Sequence, residues 1–147
     1  MRAVPKHVEG VERVVRAFGY WPSFHDANLR DIHHDESGKG AVTFTLGAFE
    51  MTREVEERVW NGVVGQYFIL TKHHDVCFRF DDVAEVVLPK HGDILDVLEV
   101  GNERDEDGRF LVVLESTIGL PHEGYGASFR ARSGAVLDVI ATSPEAT

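Results

Sequence analysis

Apolar residues in this chain recur at every second position in most segments, and at helical spacing over one well-marked stretch. Strand patterns outnumber helix patterns by about eight to two, which limits the chain to a sheet-dominated architecture with little helical cover. Its 147 residues form one domain, 1–147, large enough to bury a core without disulfide or metal staples. The expectation is an α+β fold: a mostly antiparallel, strongly twisted sheet with an N-terminal helix packed on one face.

The helix is expected from Pro5 to Phe18, where Val8, Val11, Val15 and Phe18 follow a 3, 4, 3 spacing and Pro5 suits a first helical position. Gly19 fits its C-terminal stop, with Pro22 shortly beyond. Ala27 to His34 reads as a strand. It is joined through the turn cluster Asp35 to Gly40 to a second strand, in which Val42, Phe44 and Leu46 alternate with Thr43 and Thr45. Met51, Val55 and Val59 recur every four residues, so Glu50 to Trp60 suits a short charged helix or an irregular excursion. Tyr67 to Thr71 and Val76 to Phe80 read as strands around a turn at Lys72 to Asp75, and Val83 to Leu88 as a further strand, interrupted by Pro89 to Gly92. Asp93 to Val100 starts as a helical turn and finishes as a strand. Gly101 to Gly108 is a solvated loop, and Phe110 to Glu115 is a strand buried on both faces in its middle. Ala127 to Ala131 and Ala135 to Ala141 form a C-terminal hairpin around Ser133-Gly134, and Thr142 to Thr147 frays.

Acids outnumber bases 25 to 15, giving a net charge of −10. Nucleic-acid phosphates reward Lys and Arg, so this balance argues against a nucleic-acid partner and suits a basic protein partner. No apolar run approaches the roughly 18 residues of a membrane span. Met1 to Lys6 lacks the apolar core of a signal peptide, so a cytoplasmic protein is expected. Cys77, the single cysteine, lies in the apolar stretch Val76-Cys77-Phe78 and reads as a buried, inert thiol.

Eight histidines raise the question of a metal. His25, His34 and His74 are each followed by Asp, but these pairs fall in loops and strand ends rather than on helices. The doublets His33-His34 and His73-His74 place adjacent side chains on opposite faces of a strand, so one doublet cannot give two ligands to one ion. One His from each, joined by Asp75 or His25, is the remaining zinc arrangement. There is no Cys pair, no nucleophile elbow and no phosphate-cradling loop. The reading is of a non-enzyme without catalytic residues, cofactor or metal.

The densest motif is Phe18-Gly19-Tyr20-Trp21-Pro22-Ser23-Phe24-His25-Asp26-Ala27, at a helix-to-strand junction. Trp21 and Phe24 suit packing that fixes the helix exit. His25 and Asp26 suit either loop hydrogen bonding or a recognition surface. This motif resembles the N-terminal motif of the immunity protein 50 family, small bacterial proteins of polymorphic toxin systems. Val76 to Val83 and the closing Ser116 to Ile140 are similar to later segments of that family, while Glu54 to Gly65 and Glu103 to Asp107 depart from it. The resemblance implies a cognate toxin, bound and neutralised stoichiometrically, with no catalysis. The acidic patches available for such a partner are Glu54, Glu56 and Glu57; Asp81, Asp82 and Glu85; or Asp93, Asp96 and Glu99. A binding or scaffold domain of other purpose, homodimeric through an exposed strand edge, is the alternative. A small metal-dependent enzyme is a more distant one.

Overall fold

A computed structural model of the chain describes residues 3–90, 93–120 and 123–143, with only the backbone given at 93–96. The short strand β1 (Val8–Glu9) leads into the helix α1 (Val11–Phe18). Strands follow: β2 (Asn28–Asp35), β3 (Ala41–Trp60), β4 (Val63–Asp81), β5 (Ala84–Val87), β6 (Asp93–Val100), β7 (Phe110–Ser116), β8 (Ala127–Ala131) and β9 (Ser133–Ala141). With 59% strand and 7% helix, the class is mainly β, and the expected α+β class is corrected.

The correction begins at the N-terminus. Val8 and Glu9 pair in parallel with Gly134 and Ala135 instead of joining the helix. Gly10 then takes φ 80°, a left-handed conformation that suits glycine and keeps the preceding residues out of the helix. What remains is an eight-residue helix that buries Val14 and Phe18. Gly19, at φ 87°, ends it as expected and donates its N–H to the Val15 carbonyl at 2.6 Å.

The sheet order is β1-β9-β4-β3-β2-β6-β7-β8-β5. All pairs except β1–β9 are antiparallel. The two halves are joined only by the short β2–β6 ladder, Asn28↔Ile94 and Leu29↔Asp93. They fold onto one another. In a flat sheet β4 and β8, five places apart in this order, would be separated by about 24 Å. Yet the rings of Phe80 on β4 and Phe129 on β8 meet edge-on with centroids 5.3 Å apart. Phe44, Phe78, Phe80, Phe110 and Phe129 are all fully buried in the resulting core. Edge-to-face aromatic pairs add about 0.5–1.5 kcal/mol each beyond the area they bury.

Several local expectations change. Strand β7 buries Phe110, Val112 and Leu114 but exposes Leu111, so it has one buried face. Asp93 to Val100 is strand throughout. β8 and β9 do not form a hairpin: β8 pairs with β7 and β5, and β9 with β4 and β1. Ser133-Gly134 marks the passage from one half of the sheet to the other, and a Cβ on Gly134 would sit 2.5 Å from the Phe80 ring. Cys77 is half-buried rather than buried. His91, Gly92 and residues 144–147 lie outside the described residues.

The largest change concerns Glu50 to Trp60, which is neither helix nor excursion. β3 and β4 run 20 and 19 residues, and β4 passes through the expected turn at Lys72 to Asp75 with a bulge, Lys72 taking φ 56°. β3 pairs with β2 only as far as Gly47, and β4 pairs with β9 only as far as His74. Beyond these points the two strands pair with each other alone, out to Trp60↔Val63. Asn61 and Gly62, at φ 50° and 77°, close the hairpin with the two positive φ values of a type I′ turn. Measured along β3 from Gly47 to Trp60, the arm is roughly 40 Å long at strand rise.

Candidate functional site

The aromatic motif divides into a packing part and an outward part. Trp21 and Phe24 are buried and meet each other and Phe78 edge-on, with ring centroids 5.6, 6.3 and 5.8 Å apart. The Ser23 carbonyl accepts a hydrogen bond from the Leu98 N–H at 3.1 Å, fastening the loop to β6. Phe24 and Asp26 both take φ 63°, left-handed values that turn the chain sharply enough to seat the Phe24 ring while His25 faces solvent. His25 Nε2 lies 3.6 Å from Asp26 Oδ2. The Trp21–Phe24 half of the motif is therefore core. Asp26 lies where the loop meets the arm.

The root of the arm is tied to this loop by a polar cluster. The Tyr20 hydroxyl donates to Glu50 Oε2 at 2.6 Å. Lys72 Nζ donates to the same oxygen at 3.1 Å and to the Phe18 carbonyl, at the helix end, at 2.8 Å. Burial, then the Glu50 hydrogen bond and charge, push the Tyr20 phenol up to about 12. Hydrogen bonds from Tyr20 and Lys72 hold the Glu50 carboxyl below the usual carboxylate range.

Between loop and arm lies a cleft of about 700 Å³. Asp26 and Asn28 line its body side, Phe49 and His73 its root, and Trp60, Tyr67 and Leu70 are among the arm residues that close it. This volume is in the range of small-ligand sites, and Asp26, Asn28, Glu56, Arg58 and His73 are the polar members of an otherwise aromatic and aliphatic lining. His73 is 8% exposed, lies 5.8 Å from the Phe49 ring, and has no hydrogen-bond partner on either ring nitrogen among the described residues. Its neighbour His74 points the other way, onto Phe18, as alternation along a strand requires.

The arm, Trp60 and Phe68 of the cleft wall included, is exposed and apolar. Trp60 is 60% exposed, and Val55, Val59, Val63, Val64 and Phe68 are exposed with it. By register Val55, Val59, Val64 and Phe68 lie on one face of the ribbon and Trp60 and Val63 on the other, and exposed apolar faces mark interaction surfaces. Glu54, Glu56 and Glu57 stand exposed among them, against Arg53 and Arg58.

The other acidic patches are placed differently. Asp82 receives Arg109 at 2.9 Å and Arg132 at 3.0 Å, Asp81 pairs with Arg79 at 3.0 Å, and Glu85 pairs with Arg130 at 3.1 Å. Their charge is matched within the chain. Glu99 is exposed, and the side chains of Asp93 and Asp96 lie outside the described residues. The histidine doublets do not converge: His34 pairs with Val42 and His74 with Ala48, six residues apart on β3, or about 20 Å at strand rise. Among the described residues no three His, Cys, Asp or Glu side chains come together as metal ligands, and no helix is long and apolar enough to cross a membrane.

Sequence reasoning singled out Asp26 and Glu56 but missed Trp60, Tyr67, Phe68, Leu70 and the placing of His73 in the cleft. The pair Asn61-Gly62, flanked by Trp60 and Val63, was the signal that would have found the arm. No protein-family model, curated protein or solved structure matches the chain.

Proposed function

We propose that this chain is a stoichiometric protein-binding module. It holds a basic partner domain through its hairpin arm and acts in the cytosol without turnover. Following the resemblance of the aromatic loop to immunity protein 50, the partner is a cognate toxin domain, which binding neutralises. The observation that carries the reading is the arm itself, a two-stranded ribbon reaching past the core with Trp60 and six other large apolar residues exposed. Free strand edges and exposed aromatics are the means by which sheets accept a partner strand and anchor an interface.

Charge favours a partner unlike the chain. Two copies carrying −10 each repel, whereas a basic domain is drawn in and oriented by the same field. Glu54 and Glu57 sit on the arm where that field would meet the partner.

The test is calorimetric titration of the chain with the C-terminal domain of the secreted protein encoded beside it. A 1:1 complex is expected, weakened by at least about 2 kcal/mol in Trp60→Ala if Trp60 is a central anchor. Failure of that domain to bind removes the toxin reading. Undiminished binding by Trp60→Ala with Val59→Lys removes the arm. A concentration-dependent dimer in sedimentation velocity, abolished by the same variants, replaces the partner with a second copy.

A further inference from the structure

His73 requires a reason to be where it is. Buried polar groups are nearly always hydrogen-bonded, and leaving one unpaired costs about 1–3 kcal/mol. His73 is 8% exposed with both ring nitrogens unpaired among the described residues, and it lines the cleft at the root of the arm. A neutral imidazole offers one acceptor nitrogen and one N–H donor. Phe49 stands against it, and Leu70, Tyr67 and Trp60 line the cleft successively farther along the arm, surfaces that accept a flat ring edge-on or offset. The other polar groups of the lining are Asp26, Asn28, Glu56 and Arg58. Two carboxylates against one guanidinium turn away an anionic group and favour a neutral one.

We infer that the cleft between the aromatic loop and the arm receives an aromatic side chain of the partner bearing a hydrogen-bond donor, a tyrosine or a tryptophan, whose O–H or N–H is donated to His73. The inference rests on the reading of the chain as a protein-binding module and names the anchor that the module takes. A ring with a polar tip suits both parts of the cleft: its face fills the apolar walls, and its donor pairs the acceptor nitrogen of the imidazole once that ring, whose nitrogens are both covered, turns toward it. A phenylalanine would fill the volume and leave His73 unpaired. The site thereby discriminates among aromatic side chains by the unpaired group it would otherwise bury.

The test needs no partner. p-Cresol stands for the tyrosine side chain and toluene for its counterpart without a hydroxyl. Both are titrated into the 15N-labelled chain while the ring nitrogens of His73, assigned by difference from His73→Phe, are observed. The expected result is a cresol-dependent shift of the His73 ring nitrogens and a preference for cresol over toluene of about tenfold. In His73→Phe that preference falls to about parity while the unfolding midpoint holds. Absence of a His73 shift at the solubility limit of cresol overturns the inference. So does equal affinity for the two probes in the unmodified chain, which is what a water-satisfied imidazole would give. Should His73→Phe fail to fold, the ring shift and the probe ratio of the unmodified chain decide alone. Intact cresol recognition with no binding by the toxin domain removes the proposed function and leaves the receptor. Unchanged binding of that domain by a folded His73→Phe removes the anchor and leaves the function.

Discussion

Phe44 and Phe78 face each other across the β3–β4 ladder in the body, and farther along the same ladder Val55 faces Phe68 in the arm. The first pair is fully buried and the second is about half exposed. Both pairs are joined by the same kind of antiparallel backbone, so the ladder does not account for the difference. The second layer does. In the body β3 has β2 as its other neighbour, β4 has β9, and the opposing half of the sheet covers their shared face. In the arm neither strand has a second neighbour. A two-stranded ribbon in water is marginal by itself. Apolar residues kept on such a ribbon contribute little to holding the fold, which leaves them available to a partner.

The comparison breaks most directly through stability. Phe80→Ala should cost about 3–5 kcal/mol through the cavity left between the sheet halves. Trp60→Ala should fall within about 0.5 kcal/mol of the unmodified chain. Urea midpoints with unchanged slopes would establish both. A Trp60→Ala loss near that of Phe80→Ala would mean that the arm is packed core, and the contrast would go.

Charges follow the same division. Asp82 is held between Arg109 and Arg132, with the Asp82 and Arg109 side chains only 19% and 17% exposed. Asp82→Ala leaves the Arg109 guanidinium with only the exposed Asp107 carboxylate, at 3.5 Å, and should cost about 2 kcal/mol. Glu57→Ala on the arm should cost less than about 0.5 kcal/mol and instead slow association with a basic partner, more so at low salt. A stability loss in Glu57→Ala equal to that of Asp82→Ala would place arm acids in the same structural class as the internal ones.

A smaller effect reads the arm's own stability. Amides of Val55 to Phe68 should exchange with solvent through local opening, while those of Phe44 and Phe78 exchange only through global unfolding. Gly62→Ala forces a Cβ onto φ 77° and should loosen the arm by about 1 kcal/mol without moving the global midpoint. Equal protection of arm and body would mean that the ribbon is covered in solution.

Much of the body was legible in the sequence because its signals were local. The turn residues Asp35 to Gly40 and the alternation of Val42, Phe44 and Leu46 required only neighbours, and Gly19 carries its own conformational reason. The arm misled because Met51, Val55 and Val59 recur every four residues, a spacing shared by a helical face and by one face of a strand, since four is also twice two. Asn61-Gly62 would have decided between them. Lys72 to Asp75 resembled a turn because four polar residues separated two apolar runs, whereas that polarity reflects the arm's root leaving the covered part of the sheet. The Ser133-Gly134 pair resembled a hairpin turn, but its glycine serves the close approach of Phe80. Asp26 was visible as part of a motif. Its place in one cleft with His73 was not, since that depends on the arm lying beside the loop, which no local pattern encodes.

The smallest effect is at the join between the two regions, where Tyr20, Glu50 and Lys72 meet. Glu50 sits below its ordinary 4.5 because Tyr20 and Lys72 donate to it, so its contribution is complete above 4.5 and fades as the pH falls through its lowered value. Tyr20 is raised from 10.0 to about 12, first by burial and then by Glu50, so its contribution is complete below 10.0 and fades as the pH climbs toward about 12. The root is therefore tightest between those limits and loosens on both sides, in acid through Glu50 and in alkali through Tyr20. Ultraviolet difference titration, with Tyr20→Phe as the blank for the other two tyrosines, should give a Tyr20 midpoint near about 12. Glu50→Gln should lower that midpoint only in part, because burial, the larger cause, survives the substitution. Tyr20→Phe should itself cost about 1 kcal/mol, the worth of one hydrogen bond to a charged acceptor at the surface. A Tyr20 midpoint at 10.0 in the unmodified chain would mean that the hydroxyl is solvated and the root untied, leaving the arm free to swing away from the loop and opening the cleft that His73 lines.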